Sequence, residues 1–150
     1  MNYISSSITF YGNCMKAIEF YKKIFIKCKT EIIKYADVAD ILEFGNHIQG
    51  KENLIYQAKL IIEMGGSEFI ITMSDSPSLL FLGVDTSPNN IDNLTFVIEV
   101  DESKYLEELY NAFIEGGKSN ILPRINKQGY LEGSLIDQFG VCWILRSPTA

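Results

Sequence analysis

The sequence predicts an α+β fold in which two βαβββ modules form a curved mixed sheet with the helices on its outer face. Three observations predict it. Two amphipathic helical stretches share one pattern, and each follows a short strand-like stretch. Each is followed by a less regular β-like stretch and then by a long hairpin. The strands alternate apolar residues with mixed ones, so one face is greasy and the other is not.

Taken in order, residues 3–10 read as the first strand. In "GNCMKAIEFY" (12–21), Asn13 is placed to cap a helix, and Ala17, Phe20, Tyr21 and Ile24 fall at i, i+3, i+4 and i+7. Lys22, Lys23 and Lys27 follow where the helix dipole favours cations. Residues 28–36 are β-like, and 54–64 with 68–74 form a hairpin turning at Gly65-Gly66. The second half repeats this order. Residues 94–100 are a strand, and Asp101 or Ser103 caps a helix carrying Leu106, Leu109, Tyr110 and Phe113. Gly116-Gly117 ends that helix, 118–125 are β-like, and 129–136 with 141–146 form a hairpin turning at "DQFG".

The helical stripes are offset by 89 positions (17 to 106, 24 to 113), the hairpin turns by only 74 (66 to 140). The first half therefore carries an extra stretch, expected within 37–53. The chain reads as a single domain over 1–150, built of repeated modules at about 1–75 and 92–148 with a linker over 76–91.

On the strands, Ala58, Leu60, Ile62 and Met64 oppose Gln57, Lys59, Ile61 and Glu63. Leu94, Phe96, Ile98 and Val100 oppose Thr95, Val97 and Glu99, and Val141, Trp143 and Leu145 oppose Cys142, Ile144 and Arg146. The greasy faces are expected to cover the helices, with Trp143 beneath them. On the first strand Ser5, Ser7 and Thr9 are assigned to the helix side, an exception to the pattern. The mixed faces have the composition of a ligand-holding cup, or of a face wetted by solvent or covered by a partner chain.

Composition narrows the function. At 150 residues the chain can bury a proper core, and a net charge of -6 argues against a nucleic-acid partner. No apolar run reaches the ~18 residues of a membrane span. The first residues, "MNYISSSITF", have no secretory-signal pattern, and three scattered cysteines suit reduced thiols in a cytoplasm. Cys14 stands at a helix start, where a thiol is sometimes reactive, but no His lies in its stretch, and a packing role is expected.

On "GNCMKAIEFYKKIF" (12–25), "AKLIIEMGGSEFIITMSD" (58–75), "FVIEVDE" (96–102) and "GSLIDQFGVCWIL" (133–145), the chain resembles the vicinal-oxygen-chelate superfamily, the glyoxalase and bleomycin-resistance fold, and within it the PhnB-like branch. The resemblance implies a cup which, in catalytic members, holds a divalent metal on His and Glu side chains. Laid onto this chain, those four positions fall near Ser6, Ile70, Thr95 and Ile144, and none is a metal ligand of that kind. A slip of one residue on the first strand brings in Ser5 or Ser7, no stronger a ligand. Gln57 stands where many PhnB-like proteins have His, and Gln128 where a Trp is common. The lone His47 lies in the extra stretch and reads as a surface residue. PhnB-like proteins often bear a methyltransferase label, but no Gly-rich nucleotide loop occurs here.

The candidates on the cup face are Gln57, Lys59, Glu63, Glu68, Thr95, Glu99, Tyr130, Glu132, Ser134 and Arg146. Of these, Gln57, Lys59, Glu99, Glu132 and Arg146 are expected to bind ligand, with Lys59 and Arg146 anchoring a single negative or oxygen-rich group. The carboxylates are alternatively partners of Lys59 and Arg146, or ligands for a hard cation. The expectation is a cytoplasmic, metal-free homodimer with no cofactor, no nucleic-acid partner and no membrane contact, binding a small organic ligand. The alternative is a lyase, isomerase or dioxygenase using a divalent metal or a Glu base.

Overall fold

The computed structural model describes residues 2, 4–42, 48–80 and 94–148. The chain divides into two compact units, Met1–Ser87 and Pro88–Ala150. Most of the expected linker and His47 lie outside the described residues.

In the first unit, strand β1 (Ser6–Phe10) leads to helix α1 (Cys14–Ile24), β2 (Cys28–Lys34), α2 (Tyr35–Leu42), and the hairpin of β3 (Ile55–Met64) and β4 (Ser67–Asp75). A 3-10 turn, Pro77–Leu80, follows. The sheet order is β1-β4-β3-β2, with β1 parallel to β4 and the other pairs antiparallel. The second unit repeats the plan with β5 (Thr95–Glu99), α3 (Ser103–Phe113), β6 (Lys118–Ile125), β7 (Leu131–Ile136) and β8 (Cys142–Ser147), ordered β5-β8-β7-β6. The eight strands thus form two four-stranded mixed sheets, and the fold class is α+β.

The expected alternation is present. Ala58, Leu60, Ile62, Ile71 and Met73 are buried with Ala17, Tyr21 and Ile24 of the expected α1 stripe and with Ile18, whereas Phe20 is only half-buried, and Gln57, Lys59 and Thr72 are not buried. The β3–β4 hairpin closes at Met64↔Ser67 across Gly65 and Gly66, both at positive φ (60° and 78°), as a two-residue turn of that hand requires. In the second unit Leu131, Leu135, Trp143 and Leu145 are buried with Leu106, Leu109, Tyr110 and Phe113 of α3. A Cβ on Gly133 would come within 3.1 Å of the Tyr110 ring and of Pro123, so the missing side chain lets α3 lie close on β7.

Four expectations need correction. On β1 the helix side holds Ile8 and Phe10, both buried, because Ile8 pairs in parallel with Met73 and partners in a parallel pair share a face. Ser5, Ser7 and Thr9 therefore lie on the opposite face. The β-like stretch 28–36 ends at Lys34, and α2 begins at once. Asp37 Oδ2 accepts the Lys34 backbone N–H (2.9 Å), half of a capping box that the strand-like reading overlooked. The third correction concerns α3, whose cap position is Glu102, with no side-chain cap bond from it; Ser103 is already helical.

The fourth correction is the largest. Asn13 occupies the cap position of α1 but makes no side-chain cap bond. The donors there go to Asp75, at the far end of β4. Asp75 Oδ1 accepts the N–H groups of Gly12 (2.8 Å) and Cys14 (3.2 Å), and Oδ2 accepts that of Ile55 (2.9 Å). Its backbone carbonyl accepts the Tyr35 hydroxyl (3.0 Å). This carboxylate, 1% exposed, joins the starts of α1 and β3 to the end of β4.

Asp137 has a comparable role in the "DQFG" turn. Oδ1 accepts the N–H groups of Phe139 (2.9 Å) and Val141 (3.0 Å), and Oδ2 accepts Trp143 Nε1–H (2.9 Å). The Trp143 ring packs on Phe113 of α3 (4.4 Å between centroids) and stacks on Phe96 (5.0 Å).

Two outcomes are expected from this packing. Asp75→Ala leaves three N–H donors, two of them buried, without their acceptor and should cost about 3–5 kcal/mol; Asp75→Asn, which turns an N–H donor toward one of them, should cost about 1.5–3 kcal/mol. Urea unfolding checks both, and an Asp75→Asn protein of wild-type stability would show that the second carboxylate oxygen is unimportant. Trp143→Ala should cost about 3–5 kcal/mol. Trp143 is the chain's one tryptophan, so free quenching of native fluorescence by iodide would show that the sheet faces are inverted.

Candidate functional site

The candidate site is the face of each sheet turned away from α1 and α3. On the first sheet, Ser7, Thr72, Lys59 and Glu31 line up across β1, β4, β3 and β2. Lys59 Nζ lies 3.9 Å from Glu31 Oε2, a half-open pair that stabilises little. Gln57 is exposed two residues further along β3, opposite Ile33. Glu63 and Glu68 face each other at the hairpin end, both exposed.

On the second sheet a charged row runs through Glu99, Arg146, Glu132 and Arg124, across β5, β8, β7 and β6. Arg146 donates from Nε (3.1 Å) and lies 3.0 Å from the same oxygen, Glu132 Oε2, through Nη2. Asn126 Nδ2 approaches that oxygen at 3.4 Å. The next row, Val97, Ile144, Ser134 and Ile121, is mostly apolar.

Of the five expected ligand residues, Glu99, Glu132 and Arg146 thus stand side by side in one row, and Gln57 and Lys59 stand together on β3. Arg124, Asn126 and Glu31 were missed. Strand alternation would have found Glu31, which pairs with Lys59. Arg124 was hidden by register shifts in β6 between Ser119 and Ile121 and between Ile121 and Arg124, which break a simple count of two. Asn126 lies in the β6–β7 turn, where its Oδ1 accepts the N–H groups of Gln128 (2.9 Å) and Tyr130 (3.0 Å).

The positions at which catalytic members of the superfamily hold their metal are occupied here by non-ligating residues. Ile70, Thr95 and Ile144 do lie on the faces away from the helices. Ser6 pairs with Ile71 and lies on the helix side; Ser7 takes its place. Two aliphatic side chains and two hydroxyls are not a donor set for a divalent transition metal. Among the described residues, no three His, Cys, Asp or Glu side chains come together as a metal would require.

Cys14 is fully buried, and burial pushes its thiol strongly up, with the Asp75 carboxylate adding to the shift. A helix start lowers a thiol pKa only where the local field is positive. Here the carboxylate that caps the helix opposes thiolate formation, and Cys14 is a packing residue.

No protein-family model matches the sequence, and no curated protein is similar enough to match it. Solved structures do match. Protein PA1353 from Pseudomonas aeruginosa superposes with a TM-score of 0.73 at 21% identity, covering 100% of both chains. A PhnB protein from Bacillus cereus gives 0.68 at 19% identity, over 96% of this chain and 98% of that one. A glyoxalase/bleomycin resistance protein/dioxygenase family enzyme from Burkholderia phytofirmans gives 0.55 at 13% identity, over 95% and 96%. At these identities the likeness is one of fold. The two βαβββ units, their strand order and these neighbours together show that this chain has the fold of the vicinal-oxygen-chelate superfamily.

Proposed function

We propose that this protein binds a small organic ligand on the sheet faces turned away from α1 and α3, without a metal, and works as a homodimer in the cytoplasm. The observation that carries the reading is the chemistry at the superfamily's metal positions. Ser7, Ile70, Thr95 and Ile144 supply no imidazole and no carboxylate. What those faces do supply is hydrogen-bonding groups beside apolar surface: Gln57 and Lys59 on the first sheet, and Glu99, Glu132 and Arg146 beside Val97 and Ile144 on the second. That combination suits an organic molecule with a few polar atoms.

Two further features support the rest of the reading. Among the described residues no helix is long and apolar enough to cross a membrane. Edge strand β6 exposes Leu122 and Ile125, the kind of surface that a second copy covers.

Two measurements check the proposal. Protein purified without chelator should contain no stoichiometric Zn, Ni, Fe or Mn by elemental analysis. One metal per chain, lost on substitution of residues on these faces, would replace the binding reading with the enzyme one. In a thermal-shift screen of small organic molecules, hits should stabilise the wild-type protein by about 2.7 kcal/mol at a hundredfold excess over Kd. The shifts should shrink in Arg146→Ala or Lys59→Ala, and hits that keep their full shifts in both variants would place the ligand elsewhere.

A further inference from the structure

The row Glu99, Arg146, Glu132, Arg124 alternates in sign from strand to strand, and its four charges sum to zero. Within it, Arg146 is held in one orientation. Its Nε and Nη2 both reach Glu132 Oε2, at 3.1 and 3.0 Å, and the Asn126 amide brings a third donor to that oxygen at 3.4 Å. Asn126 is fixed in turn, because its Oδ1 accepts two backbone N–H groups of the β6–β7 turn. One edge of the guanidinium is therefore occupied and its plane is set. Nη1 bonds none of the described residues, and the Arg146 side chain is 36% exposed. The next row along the strands, about 7 Å away, presents Val97, Ile144 and Ile121, with Val97 52% and Ile121 42% exposed.

We infer that Glu132 and Asn126 make Arg146 an oriented donor for an uncharged oxygen, a carbonyl or hydroxyl, of an amphipathic small molecule whose apolar body lies on Val97, Ile144 and Ile121, and that the same arrangement turns anions away. The inference rests on the reading of this face as a ligand surface and names the ligand's chemistry. An anion approaching Arg146 meets a carboxylate on each neighbouring strand, Glu99 on β5 and Glu132 on β7. The guanidinium charge is already compensated by Glu132, so little net attraction is left to offset that repulsion. A neutral oxygen meets no such repulsion and takes the directional N–H bonds that Nη1 still offers. Glu132 acts through Arg146 and is a positioning residue. The Nε–Nη2 edge, one of the two edges through which a guanidinium grips a carboxylate, is occupied by Glu132.

The test is an NMR titration of the isotopically labelled full chain with three probes of one size: benzamide, benzoate and benzylammonium. Benzamide should shift the resonances of Val97, Ile144 and the Arg146 side chain, and bind about tenfold more tightly than either charged probe. Glu132→Gln removes the counter-charge and should invert the preference toward benzoate. Should that variant lose the native spectrum, Arg146→Lys carries the same test: it keeps the charge without the planar fork, and benzamide should fall to the level of benzoate. Benzoate or benzylammonium binding the wild-type protein as tightly as benzamide overturns this inference and leaves the ligand-surface reading standing. So does an unchanged preference in the Glu132→Gln protein. No shift at these residues with any probe overturns both.

Discussion

Each unit has four strands and packs one long amphipathic helix, α1 or α3, on its sheet, and that ratio governs the rest. Hydrogen bonding satisfies the strands whichever way their side chains point, but α1 or α3 covers only one face. Because side chains alternate, the division is binary. Ile8, Phe10, Leu60, Ile71 and Met73 take the covered face in the first unit, and Leu135, Trp143 and Leu145 take it in the second. Lys59, Glu132 and Arg146 are thereby set on the other face, where charge costs little desolvation.

Such small cores are tied off by buried carboxylates. Asp75 and Asp137 each accept three N–H donors, which compensates a charge taken out of water. Asp75 also shapes its surroundings. Burial, the Asp75 charge and Tyr56 together push the Tyr35 hydroxyl up to about 12. Tyr35 therefore keeps its proton and goes on donating to the Asp75 carbonyl. The same field opposes ionisation of Cys14. At the end of β8, in the place of Asp75, stands Ser147, fully buried, whose hydroxyl donates to the Asp101 carbonyl (3.3 Å). The second unit thus closes the same junction with a neutral bond, and its buried carboxylate has moved to the hairpin turn.

The open faces of the two sheets differ in how a cation is held. On the first, Lys59 Nζ lies 3.9 Å from Glu31. On the second, the planar guanidinium of Arg146 is held by Glu132 and, through it, by a turn. A fixed donor selects by geometry, whereas a mobile one adds charge without direction.

Much of the fold was legible in the sequence because periodicity is a local property. The stripes of α1 and α3, the Gly65-Gly66 turn, the two-fold repeat and the buried position of Trp143 all follow from spacing within short windows. Alternation alone placed all five candidate ligand residues, Gln57, Lys59, Glu99, Glu132 and Arg146, on the faces away from α1 and α3. What only the tertiary structure decided depends on partners distant in the chain. The α1 start is capped by Asp75, 61 residues beyond Cys14, and not by the adjacent Asn13. The face of β1 depends on its parallel register with β4, which no pattern within β1 encodes. Arg124 joins the charged row only because register shifts in β6 realign it. A side chain's face follows from its own strand, but its hydrogen-bond partner is chosen by whichever segment folding brings beside it.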